Sequence, residues 1–464
     1  MKQLRLFLLL AAGLFLTSCS EPQPDEFPNP DPPPTVGRHA VPIDQALGEL
    51  DDLLGVIDGQ GTRAGGVRTI AQVQTLHAQA LALTRSAGEP GEQPENLLYV
   101  VNFEEDAGYA VLGADDRLPA VLAVTDEGSL TTEELVRAAN GQTAPEEFTF
   151  PNEMLMNYVS GIGGIGGIGG GGIGGGIGGG GGIPTGPFTD FDKQLGNPDP
   201  FYDHSEWTDW ETNQYVQPLL KTQWNQDNPY NIFCPETGKY NMNGGGTMTV
   251  VNCWAGCVAI ACAQIIAYHS DVKAPSMLGN NVIEWDQIKI AMQRPRLDSV
   301  YNVSNIPRPV GAVAWMIRGI GDAVAMKYGE NGSSSNIRNA EKLFRWLEYK
   351  DVYARNYDPT GVRIALLNKM PVYIRGADCN DGHAWVLDGL HSQYRHYIAV
   401  DIFGGTRVIE TEIRDFVHCN FGWGSWYDGF YHSGIFNIYQ RPSLQSTSPG
   451  DYTSLKIITY SSPI

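Results

Sequence analysis

The chain is short of positive charge. It has 464 residues and carries 31 Lys and Arg against 52 Asp and Glu, a net charge of -21. That balance excludes a basic face for nucleic acid or anionic lipid. Cysteine is also scarce, with seven residues in the whole chain. Long apolar runs of membrane type are missing. "LFLLLAAGLFL" near the N-terminus is too short to span a bilayer comfortably. Residues 250–268 are uncharged, but Asn252, Gly256 and Gln264 interrupt them and no basic flank follows. That stretch reads as a buried central helix rather than a span. What remains, 42% hydrophobic and 18% charged residues, is globular composition, and the length fits two or three domains.

The N-terminus reads as an export signal. Lys2 and Arg5 precede the short apolar core, which ends in Leu16-Thr17-Ser18-Cys19. A small residue directly before cysteine looks like a lipobox. Residues 1–18 are then a lipoprotein signal peptide, and Cys19 is the lipidated mature N-terminus. More than one acyl chain holds a protein stably at a membrane. Residues 19–40 are Pro-rich and acidic and read as an extended tether. The expected location is the bacterial cell envelope, lipid-anchored at the outer membrane on its periplasmic or surface face, or released after processing. Membrane contact is expected through the lipid alone.

Residues 41–155 read as a small α/β unit. "VPIDQALGELDDLLGVI" has helical spacing, "AQVQTLHAQALALT" mixes helix and strand signals, and "NLLYVVNF", "AGYAVLGA" and "PAVLAVTDEG" look like successive strands. The run 161–183 then holds 17 glycines and six isoleucines without proline. Its irregular spacing excludes a collagen helix, and so dense a glycine run loses too much entropy to fold alone. Residues 156–204 are therefore a linker and processing region. Residues 205–464 hold every cysteine except Cys19, together with aromatic clusters such as "FGWGSWYDGFY".

Three of those cysteines lie close together in "CWAGCVAIACAQIIAYH". The spacing C-x3-C-x4-C-x6-H is a poor metal pattern. Cys257 and Cys262 would sit roughly 140° apart around one helix and could not converge on an ion. No metal and no cofactor is expected. Disulfides are possible in an exported chain, with partners the sequence does not assign. A reactive thiol fits best at Cys257, the first helical residue, where free N–H groups and the helix dipole favour a thiolate. Cys262, mid-helix among Ala and Ile, reads as a small buried thiol. A thiolate needs a base, and His383 opens an apolar strand after the Gly-rich turn in "GADCNDGHAWVLDGL". Asn420 fits as the third member of a Cys–His–Asn set, and Trp423 as a cover over that hydrogen bond.

These segments resemble the streptopain family of papain-like cysteine peptidases. The resemblance is carried by "KTQWNQDNPYN" (221–231), "GCVAIACAQIIAYH" (256–269), "MKYGENGSSSN" (326–336), "GHAWVLDG" (382–389) and "NFGWGSWYDGFY" (420–431), in the family's order. It implies an α+β papain-like fold for residues 205–464, with a central helix packed on an antiparallel sheet or barrel. It also implies that residues 41–155 are an inhibitory propeptide domain. Cys257 would be the nucleophile, His383 the general base and acid, and Gln226 an oxyanion-hole donor. Gln264 lies two turns along the helix from Cys257 and reads as a buried structural amide. The partners implied are protein or peptide substrates and the chain's own propeptide. One departure stands out: Phe421 occupies the position after Asn420 where the family usually has Trp.

The implied function is that of a secreted or lipid-anchored cysteine endopeptidase made as a zymogen. The alternative is a catalytically weak or inactive papain-like surface binding protein, supported by Phe421 alone. An acyl transferase of the same fold, an amidase or transglutaminase, is a rival within enzymes.

Overall fold

The computed structural model describes residues 39–60, 68–81, 95–142, 150–161, 202–242, 248–279, 281–297, 299–377, 382–436 and 454–463. Cys19, the signal peptide, the tether up to residue 38, the glycine run from 162 onward and Cys379 lie outside those residues.

Helices run over α1 (Ile43–Ile57), α2 (Thr132–Ala139), α3 (Phe150–Gly161), α4 (Cys257–Tyr268), α5 (Trp285–Ala291), α6 (Arg308–Ala323), α7 (Ile337–Trp346) and α8 (Pro359–Leu367). No helix among the described residues is long and apolar enough to cross a membrane. The principal sheet contains β1 (Ile70–His77), β2 (Asn96–Phe103), β3 (Tyr109–Gly113), β4 (Val121–Thr125), β5 (Tyr202–Trp207), β6 (Glu211–Val216), β7 (Tyr353–Asn356), β8 (Val372–Ala377), β9 (Gly382–Asp401), β10 (Thr406–Asn420), β11 (Gly429–His432) and β12 (Ser454–Thr459).

Its order is β1-β2-β3-β4-β11-β10-β9-β8-β12-β7, with β5 and β6 paired along β9. The four strands of the N-terminal region therefore continue the sheet of the C-terminal region. The junction is antiparallel, with Gly429 opposite Thr125, Phe430 opposite Val124 and Tyr431 opposite Ala123. Gly429 is required there. Its φ is 158°, and a Cβ would come within 2.3 Å of the Val124 carbonyl oxygen.

The pleat sorts side chains onto two faces. In β2, Leu98 and Val100 join one core, while Tyr99, Val101 and Phe103 join another with Leu50, Leu53 and Ile57 of α1. The last three recur at helical spacing, so α1 covers the sheet with one stripe. In β9, Ala384 and Val386 face the core around α4, whereas Trp385 and Leu387 face the core shared with Phe150, Met154 and Leu155 of α3.

Within the segment 71–84, the described residues to Leu81 form a strand followed by a 3-10 turn at Ala78–Leu81. "HAWVLDG" is the start of a 20-residue strand, longer than its apolar run suggests, because β5 and β6 pair with its polar outer half.

Candidate active site

Cys257 stands where a loop turns into a helix. Gly256 takes φ 92°, a left-handed conformation that side chains resist, and a Cβ there would meet the Met326 sulfur at 2.7 Å. The turn leaves Cys257 as the first residue of α4, at the end where backbone N–H groups are unpaired within the helix. From Cys257 to Ala267 the helix is buried on every side, which explains the missing charge. The loop ahead of it is fastened by the segment 326–336: the Ser333 hydroxyl donates to the Trp254 carbonyl at 2.6 Å. It is fastened again from the 221–231 segment. The Ala255 N–H donates to the Gln226 carbonyl at 2.9 Å, and Asn231 Nδ2 donates to the Cys253 carbonyl at 3.2 Å. Gln226 is therefore pinned two residues before Cys257, and it is itself buried.

His383 opens β9. Its Nε2 lies 2.9 Å from the Phe421 carbonyl oxygen. A carbonyl can only accept, so the proton sits on Nε2 and Nδ1 is the basic nitrogen. The ring lies among aromatic neighbours: Trp385 stacks at 6.0 Å, Phe421 at 6.4 Å, Trp423 at 6.4 Å, and Phe150 of α3 approaches to 5.4 Å. Burial pulls its pKa down to about 4; the Phe421 carbonyl works against that shift and the Arg375 charge adds to it. In this conformation His383 is neutral. Trp423 also packs on Trp254 at 5.1 Å. One indole thus connects the loop before Cys257 to the ring of His383.

Asn420 is placed differently from a histidine-orienting amide. Its Oδ1 accepts from Gln264 Nε2 at 2.8 Å and from the Gly422 N–H at 3.2 Å, and its Nδ2 donates to the Thr222 carbonyl at 2.8 Å. Gln264 Oε1 accepts from the Thr222 hydroxyl at 3.0 Å and the Trp224 N–H at 3.3 Å. This fully buried amide network ties α4 to β10 and to the Gln226 segment. The acceptor on His383 Nε2 is the backbone of Phe421. A carbonyl needs no particular side chain, so the absence of Trp at 421 leaves that bond unaffected.

The five described cysteines, Cys234, Cys253, Cys257, Cys262 and Cys419, are all free thiols and buried. Burial pushes Cys234 up to about 12 and raises Cys262 and Cys419 as well, which disfavours a thiolate at those three.

Several residues at the site carried no signal in the sequence. Phe150 covers the His383 face of the sheet. Asp126, at the end of β4, donates its backbone N–H to the Asp428 carbonyl at 2.8 Å, and Asp428 Oδ1 accepts the Phe421 N–H at 2.8 Å. The Asp126 carboxylate lies 3.1 Å from Nε2 of His418, whose Nδ1 lies 2.6 Å from Asp388 Oδ1. Burial alone would lower His418, but the carboxylates of Asp388 and Asp126 outweigh it and raise the imidazole to about 9. Asp126 and His418 are 292 residues apart, beyond any local pattern.

Cys257 thus stands at the tip of a buried central helix and His383 at the head of a sheet strand, linked through Trp254 and Trp423. Residues 224–431 match the Peptidase C10 family, the streptopain family. Streptopain of Streptococcus pyogenes serotype M28 (strain MGAS6180) is 25% identical over 272 residues, covering 52% of this chain and 61% of streptopain. Streptopain of serotype M1 matches to the same extent. The alignment thus spans less than two thirds of the length of these relatives. Among solved structures, a fragment of prointerpain A from Prevotella intermedia gives a TM-score of 0.45 at 18% identity, covering 84% of this chain and 98% of that one.

Proposed function

We propose that the protein is a cysteine endopeptidase made as a latent precursor, with Cys257 as nucleophile and His383 as its base and acid. The observation that carries this reading is the shared aromatic bridge, Trp254–Trp423–His383, which sets the histidine beside the loop that presents Cys257. With Nε2–H held by Phe421, Nδ1 takes the thiol proton. The thiolate attacks a peptide carbonyl, and the oxyanion is met by the Cys257 N–H and the Gln226 amide. The imidazolium gives its proton to the leaving amine as the C–N bond breaks. Water then resolves the thioester, with His383 as base.

Residues 41–155 act as the inhibitory propeptide. Supporting this, Phe150 lies on His383, Trp385 and Phe421, and β4 zips onto β11 beside the site. Burial, which lowers the His383 pKa, also disfavours the imidazolium of an active thiolate pair. Cleavage within 156–204 and loss of 41–155 give the active form. Cys19 carries the lipid that places the precursor at the cell envelope; that part rests on the sequence alone.

The test compares the full chain with its Cys257→Ala variant for casein hydrolysis, labelling by iodoacetamide and the N-termini of any fragments. Hydrolysis, self-cleavage and labelling at Cys257 are expected in the native chain and absent in the variant. Processing and hydrolysis that survive the substitution would sink the proposal.

A further inference from the structure

One polar contact of the N-terminal region falls on the edge of the site rather than on its floor. The Glu127 carboxylate accepts the Ser425 hydroxyl at 2.6 Å and Arg296 Nη1 at 3.1 Å, and Arg296 Nη1 also donates to Ser425 Oγ at 2.6 Å. Ser425 is fully buried and held at φ 126°, a left-handed conformation that a non-glycine residue adopts only under constraint. Arg296 lies alongside Gly424, and Asn225, the neighbour of Gln226, borders the same glycine. The arginine thus sits between the Gln226 segment and the loop 421–428.

That loop begins at the carbonyl holding His383 and carries Trp423 against the imidazole. His383 protonates the leaving amine, so the loop borders the leaving-group side of a bound peptide. The pair itself is about two-fifths exposed on each side chain. Pairs so exposed contribute little to stability, so latency does not require a strained serine and a placed arginine here. A site for a carboxylate does. In a chain with a net charge of -21, a cation at this edge also distinguishes the cleft from the surrounding surface. The linker that must be cut carries Asp190, Asp192 and Asp199.

We propose that Arg296 and Ser425 form a subsite for an acidic side chain on the leaving-group side of the scissile bond, occupied before activation by Glu127. This rests on the peptidase reading above. The experiment uses the activated product of the full chain and peptides identical except for Glu or Gln at each position after the scissile bond. At one position the Glu peptide is expected to show a kcat/KM about tenfold higher, the scale of one charge-assisted hydrogen bond. Arg296→Gln should collapse that ratio, and Arg296→Glu should turn the preference toward a Lys peptide, a gain that a misfolded protein does not produce. A ratio of unity at every position in the native protein, or a Glu preference that survives Arg296→Gln, overturns the subsite. Hydrolysis of no peptide at all overturns the peptidase reading, and the subsite with it.

Discussion

His383 and His418 lie on neighbouring strands of one sheet, both buried and both in contact with the N-terminal region, yet their pKa values shift in opposite directions. His383 is packed among rings, with the Phe421 carbonyl on Nε2, and burial sends it to about 4. His418 is sandwiched between Asp126 and Asp388, and two carboxylates carry it to about 9 despite equal burial. Desolvation decides the state of an imidazole only where no charge stands against it. The N-terminal region thus grips one histidine with an apolar ring, Phe150, and the other with an ion, Asp126.

The two grips should respond to pH in opposite directions. Below pH 6.5 an exposed histidine takes up a proton that the closed form withholds from His383, so the closed form weakens as pH falls toward 4. His269, His391 and His432 are also lowered to about 4 and add to this limb. The contribution of His418 is fully present below pH 6.5 and is lost as pH rises through about 9.

The strongest way to isolate the comparison is Cys257→Ala, which should abolish self-cleavage entirely and leave the closed form as the species measured. Its Tm should peak near pH 6.5, falling toward pH 4 on the acid side and between about pH 6.5 and 9 on the alkaline side; a profile flat from pH 6.5 to 10 would remove the ionic grip. Phe150→Ala comes next, at about 3–5 kcal/mol for a buried aromatic. Calorimetry should register that loss, and NMR of the ring protons should show the His383 pKa rising. Asp126→Asn should cost about 3 kcal/mol, toward the lower end for one partner of a buried pair because Asp388 remains. It should shift the alkaline limb to lower pH and leave the acid limb in place. The smallest effect belongs to Gln264→Ala, about 2 kcal/mol from orphaned buried partners. It should lower denaturant midpoints without moving either limb. A changed limb there would mean that the amide network and the histidines are not separable.

The local parts of this architecture were legible in the sequence. The helix beginning at Cys257 follows from an apolar run after a glycine, and α1 follows from Leu50, Leu53 and Ile57 at helical spacing. The strand after His383 follows from a β-type run behind a turn. Gln264 as a structural amide also agrees with its bonds. What could not be read is whatever depends on long-range strand order. Nothing local says that β4 pairs with β11, so Asp126, Glu127 and Phe150 had no visible partners. Asn420 was legible as a buried polar residue in the right segment, but not which of two nearby acceptors the histidine would choose. Backbone carbonyls such as that of Phe421 leave no mark in a sequence.

The β4–β11 ladder has a mechanical consequence. A cut anywhere between residues 161 and 202 severs the chain and leaves that ladder, the His418 ion pair and the Phe150 contact untouched. A nick there would therefore not by itself free residues 41–155. Removal of residues 41–155 would uncover a bare strand edge at β11, which the intact chain keeps paired with β4.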